Sequence, residues 1–294
     1  MCVIWGIPYL LIKVAVEDLS PSVLVFARTA IAAVLLLPIA AARNEIRPVL
    51  PRWRPLVVFA AIEIALPWVM LGTAETHVSS SLTGLLIAAV PLVGAVIART
   101  TGARERLGLQ SALGLLLGLA GVGAIVGLDV HGTSVVALGQ IAVVVVCYAV
   151  GPVILQRWLA DLPALGVIAA SLGLTAVAYF PLALASRPAA MPSAAAIGSV
   201  VALAVVCTAV AFLLFFALIA EIGPVRATVI TYVNPAVAAV LGVAILGEVF
   251  TVGMGVGFAL VLAGSVLATR PARAAPAPTS GLDPRVRGAV KEVA

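Results

Sequence analysis

The sequence predicts an all-α integral membrane protein of ten transmembrane helices, arranged as two inverted five-helix repeats. Three observations predict it: a composition suited to lipid, basic loops that fall on one side of an even number of spans, and landmarks that recur in order after 143 to 144 residues. Of the 294 residues, 10% are charged and 63% are hydrophobic, and the mean hydropathy is +1.24. A soluble domain carries about 25% charged residues.

Crossing a hydrocarbon core of roughly 30 Å takes about 20 apolar residues. Breaks at charge and Pro/Gly clusters place spans at 1–16, 22–42, 55–74, 80–98 and 107–128, then at 135–156, 164–185, 195–219, 226–247 and 251–269. The first reaches only about 24 Å at 1.5 Å per residue, which suggests a start placed a few residues late or a span that begins in the interface. It has no basic leader and no small-residue cleavage site after it, so a secretory signal is not expected.

Loop charge tests the count. With the N-terminus inside, Arg43, Arg47, Arg52, Arg54, Arg99, Arg104, Arg106, Arg157 and Arg226 are cytoplasmic, joined by Arg270, Arg273, Arg285, Arg287 and Lys291 of the tail. Arg187 alone falls outside, as the positive-inside rule requires of ten spans with both ends in the cytoplasm. The stretch 270–294, biased to Pro, Ala and Arg, reads as a disordered cytoplasmic tail.

Pro8 meets Pro152 at this offset, Pro38 meets Pro181, and Pro91 meets Pro235. Asp18-Leu19 meets Asp161-Leu162, Glu105 meets Glu248, and Gly114 and Gly121 meet Gly257 and Gly264. The units are 1–128 and 135–269. Five spans are an odd number, so the second copy enters the membrane from the opposite face, an arrangement that recurs in secondary transporters.

Several function classes are excluded. The basic residues lie between spans rather than with aromatics on one face, which argues against a nucleic-acid partner. No GxxxxGK[ST] run supports ATP-driven work. Cys2, Cys147 and Cys207 sit in apolar runs without paired spacing, and His77 and His131 lie in loops without acidic or cysteine companions, so neither disulfide, metal nor cofactor is expected. An intramembrane enzyme or a non-transporting scaffold is the alternative, and the spans supply neither a nucleophile with its base nor an added soluble domain.

Family-like motifs sit at matching places in both copies. The first has Trp5-Gly6 followed by Lys13, Arg28, and the stretch Pro91 to Gly121 with Arg104-Glu105-Arg106-Leu107. The second has Ile222-Gly223-Pro224-Val225-Arg226-Ala227, Tyr232-Val233-Asn234-Pro235 and Leu246-Gly247-Glu248. Their order and duplication over residues 1 to 269 resemble the EamA family of the drug/metabolite transporter (DMT) superfamily. The usual Gly-Glu-Arg turn departs in both copies, reading Arg104-Glu105-Arg106 and Gly247-Glu248-Val249. The resemblance implies a ten-helix permease or exporter of small metabolites, often amino acids or related compounds, with a central cavity between the halves.

A charge inside a span costs at least about 2.5 kcal/mol at the bilayer centre, so each needs a partner, a wet cavity or an escape to the interface. Lys13, Arg28 and Glu63 are the three that stand out. Glu63 falls near the midplane of span three and is the candidate proton carrier, the alternative being a carboxyl that fixes packing. Lys13 and Arg28 either snorkel to the outer interface, pairing with Glu17 or Asp18, or face the cavity, where a guanidinium grips a carboxylate bidentately.

Pro91 and Pro235 each remove a mid-helix hydrogen bond, which makes Asn234, Tyr232, Thr228 and Thr231 candidate polar lining, with simple helix-to-helix bonding the alternative. Trp5, Trp68 and Tyr148 are candidate aromatic walls, an interfacial belt being the other reading for Trp5. Gly114-xxx-Gly118, Gly123-xxx-Gly127 and Gly253-xxx-Gly257 read as close packing, within the chain or in a homodimer.

Overall fold

In a computed structural model of the chain, residues 1–100, 109–127, 134–222 and 230–269 are described, and every regular element among them is helical. The first apolar segment is α1 (Cys2–Gly6) and α2 (Pro8–Ala15), divided where Pro8 has no N–H to give. Then come α3 (Pro21–Ala42), α4 (Trp53–Ala60) and α5 (Leu66–Glu75). The last two are joined by a π turn at Ala61–Ala65 into one rod, Leu50–Glu75.

α6 (Ser80–Ile87) and α7 (Val90–Thr100) are separated by a turn at Ala88 and Ala89, because Pro91, second in α7, cannot donate back to Ile87. α8 (Leu109–Gly127) closes the first half. The second half has α9 (Val135–Trp158), α10 (Ala164–Ala185) and α11 (Ala194–Ala204). A π turn at Val205–Val210 leads into α12 (Ala211–Ile222). α13 (Ile230–Leu246) and α14 (Val252–Thr269) end the described chain.

Among the described residues seven helices are long and apolar enough to cross a membrane: Pro21–Ala42, Leu50–Glu75, Ser80–Ile97, Val135–Trp158, Ala164–Ala185, Ala194–Glu221 and Val252–Thr269. Cys2–Ala15, Gln110–Val126 and Tyr232–Leu246 are apolar but shorter. One correction concerns proline. Pro235 does not interrupt its helix, since α13 runs through it unbroken, as do α3 through Pro38 and α10 through Pro181.

Serine side chains begin four helices, Ser20, Ser79, Ser134 and Ser193 each accepting the N–H of the residue three further on. Such a cap contributes about 1 kcal/mol.

Helices from the two halves pack against each other in antiparallel pairs. At the start of α3, the Ser20 and Ser22 hydroxyls meet the Ser186 hydroxyl at the end of α10, at 3.2 and 2.7 Å. Between them Leu36, Ile64, Leu172 and their neighbours form a dry core. α8 and α14 touch backbone to backbone. A Cβ on Gly121 would lie 2.6 Å from the Gly257 oxygen, one on Gly257 would lie 2.6 Å from the Gly121 oxygen, and Gly114 and Gly264 face each other in the same reciprocal way. Gly123 faces open space, so the Gly123-xxx-Gly127 reading is not supported at its first position, whereas Gly114, Gly118 and Gly257 do pack within the chain.

Overpacking a close crossing costs about 1–3 kcal/mol. Gly121→Leu should therefore lower the thermal unfolding midpoint of the detergent-solubilised protein, and Gly123→Leu should leave it within error.

Candidate functional site

One group of side chains gathers around Arg28, the eighth of the 22 residues of α3. Its side chain is 7% exposed. The guanidinium carbon lies 3.6 Å from the Trp68 ring centroid, and Nε donates to the Thr208 hydroxyl at 3.0 Å. A desolvated cation over an indole face is worth about 2 kcal/mol. The second π turn positions the acceptor, for it is there that Thr208 is carried on α11–α12 toward α3.

Among the described residues no carboxylate pairs with this arginine. Among the described residues the one ion pair is Arg52 with Asp161, 3.0 Å apart and exposed. The Trp68 indole N–H reaches the Tyr148 hydroxyl, and Tyr9, Tyr148 and Cys207 are the other groups within electrostatic range of Arg28. Glu63 lies in the first π turn. Its side chain is half-buried, but Oε2 is fully enclosed and receives no hydrogen bond. It rests against Gly151 of α9, where a Cβ would collide with that oxygen, and Tyr148 and Cys147 lie near. Arg28, Trp68 and Tyr148 thus form one chain from α3 through α5 to α9, which Glu63 joins at Gly151, three residues after Tyr148.

The sequence profile of the EamA-like transporter family matches residues 1–127 and again 136–270. The chain belongs to the EamA-like transporter family. It is 30% identical over 260 residues to the "Uncharacterized inner membrane transporter YedA" of Escherichia coli K12, covering 84% of this chain and 80% of that protein. The YedA proteins of Escherichia coli strains O6:H1 and O157:H7 match to the same extent. A solved structure titled "Crystal structure of protein" shares the fold at a TM-score of 0.64 and 21% identity, covering 93% of this chain and 96% of that one. The protein is a multi-pass membrane transporter of the drug/metabolite transporter superfamily.

Within this EamA chain the other residues singled out in the sequence are scattered. Among the described residues Lys13 does not pair with Glu17 or Asp18. Its ammonium donates to the Glu75 and Val78 carbonyls, at 2.6 and 2.9 Å, capping the end of α5. Trp5 packs on Phe212 and Phe215, with centroids 5.9 and 4.7 Å away. The Tyr232 hydroxyl meets that of Thr269, and the Asn234 carbonyl faces Gly6. Thr228, Glu105 and His131, and the side chain of Thr231, lie outside the described residues.

Two acids gain importance from the structure. Glu75, one residue past the expected end of span three, is the last residue of α5 and fully buried. Glu248, in the Leu246-Gly247-Glu248 motif, clamps the halves together. Gly247, at φ +66, turns the chain out of α13, and the Glu248 carboxylate then accepts the N–H and hydroxyl of both Ser80 and Ser81. Gly242 leaves room for it, since a Cβ there would collide with Glu248 Oε2. Four donors at the positive end of α6 are a signal that the motif and a Ser-Ser helix start could have given together.

Burial alone would push the Glu248 carboxyl up, but the Ser81 and Ser80 donors outweigh it and hold it below the usual carboxylate range. A depressed group stabilises the fold above its unfolded value, near pH 4, and loses that contribution as pH falls through its lower folded value. Glu248→Gln should cost about 1.5 kcal/mol at neutral pH, the lower end for charged hydrogen bonds because the site is half-exposed. Its unfolding midpoint should also lack the drop that wild type shows on acidification below about pH 4.

Proposed function

We propose that the protein is a secondary transporter that moves a small carboxylate-bearing metabolite, such as an amino acid, outward across the cytoplasmic membrane by alternating access. In this reading ten spans form two inverted halves, with both termini in the cytoplasm. Arg28 carries the proposal. A buried guanidinium is costly without an anion, and among the described residues only Nε is hydrogen-bonded, which leaves the outer nitrogens for a solute carboxylate in bidentate contact. Trp68 and Tyr148 are its aromatic neighbours.

Several observations support the inverted arrangement. A two-fold axis in the membrane plane reverses helix direction, so a helix packed on its own counterpart must run antiparallel to it. The pairs α3 with α10 and α8 with α14 do so. The π turns begin 144 residues apart, at Ala61 and Val205. Rocking one half against the other would expose Arg28 to each side in turn. Basic loops favour cytoplasmic termini.

Glu63 is the proposed coupling residue. Its enclosed, unpartnered oxygen sits in the same contact chain as Arg28, so proton uptake there can alter what Tyr148 and Arg28 present to a solute.

Proteoliposomes with an internal pH dye, screened with amino acids, other small carboxylates and amphipathic amines, test this. A carboxylate solute should move with a proton signal. Arg28→Ala should reduce its flux at least about tenfold, the equivalent of 1.4 kcal/mol, and Glu63→Gln should abolish the proton signal while counterflow persists. Carboxylate flux untouched by Arg28→Ala would overturn the assignment of Arg28. A proton signal that survives Glu63→Gln would overturn that of Glu63.

A further inference from the structure

Glu75 belongs to no part of the contact chain around Arg28. It is 0% exposed, and neither carboxyl oxygen receives a hydrogen bond. The charged and titratable groups facing it are Lys13 and Tyr9 from α2 and Glu248 from the α13–α14 loop. His77, two residues on, is exposed and lies 2.6 Å from the Thr76 hydroxyl.

Lys13 makes an unusual choice beside this acid. Its ammonium spends two bonds on neutral carbonyls, those of Glu75 and Val78, and none on the adjacent carboxyl. A charged carboxylate would draw the ammonium to itself, because a charge-assisted bond is roughly twice as strong as a neutral one. The Val78 bond also fixes the short loop 76–79, which runs straight into Ser80 and Ser81, the two residues that hold Glu248 of the second half.

We propose that Glu75 is a proton-exchange residue of the transport cycle, linked through Lys13 to the clamp that joins the halves at Ser80. This rests on the alternating-access reading but not on Glu63. When the Glu75 O–H bond breaks and its proton leaves to water, the carboxylate takes Lys13 from the Val78 carbonyl. Loop 76–79 is then released, and the Ser80–Glu248 clamp loses its support. Reprotonation returns Lys13 to Val78 and restores the clamp, so the site exchanges protons at the end of α5 while Arg28 holds solute.

Hydrogen–deuterium exchange of residues 76–81, measured on the purified full chain in lipid nanodiscs, tests the proposal without any substrate. At each pH the ratio of wild type to Glu75→Gln cancels the chemical exchange rate, and His77 is present in both proteins. The ratio should be near one where Glu75 keeps its proton, and wild type should exchange several-fold faster where it does not. One component of the infrared band of protonated carboxylic acids should titrate in wild type and Glu63→Gln and be lost in Glu75→Gln, whatever component Glu63 contributes. Should Glu75→Gln fail to fold, Lys13→Met serves instead, since it keeps the acid but removes the link and so should lose the pH response of the segment. A pH-independent ratio, a carboxylic-acid band unchanged by Glu75→Gln, or a pH response that survives Lys13→Met would overturn the proposal.

Discussion

Hydrocarbon gives a charge or a backbone amide nothing to bond to, and most of this molecule follows from that constraint. The helices satisfy their own backbones, and serine caps take up the N–H groups left at four helix starts. The few charges at depth are each handled differently. Arg28 is spread over an indole face, Lys13 is lent to carbonyls at a helix end, and Glu248 is saturated by four donors. Glu63 and Glu75 are left with oxygens unsatisfied, which singles them out among the acids described.

How much of this was legible in the sequence depended on whether a residue's role was local. Apolar runs and the break before Pro91 are properties of a short stretch, and they read through. Pro235 looked like the same signal as Pro91 but is carried inside a continuous helix. Arg28 and Glu63 were visible as charges out of place, and their meeting with Trp68, Tyr148 and Gly151 needed the fold. Glu75 was hidden by a single residue of boundary error, which moved a fully buried acid into a supposed loop. Lys13 was misread because its acceptors are main-chain carbonyls, which have no sequence signature.

The duplication is structural more than chemical. Positions 143 or 144 residues after Arg28 are Ser171 and Leu172, after Glu63 they are Val206 and Cys207, and after Glu75 they are Leu218 and Ile219. The first half therefore supplies the arginine and both unsatisfied acids, while the second supplies Tyr148, Thr208 and the Glu248 clamp. Two scaffolds of one plan have divided the labour.

The π turns belong to that common plan. Each puts one residue more than a regular helix would into its turn, and they stand at corresponding registers in the two segments matched by one family profile. Their 144-residue offset is that of the proline landmarks Pro8/Pro152 and Pro91/Pro235, which makes the widened turn a shared feature of the two matched segments. Deleting one residue from 61–65 would straighten the helix and swing everything beyond it by about 100°, carrying Trp68 away from Arg28. The two turns differ in the side chain they carry, Glu63 in one and Cys207 in the other, and share the widened backbone.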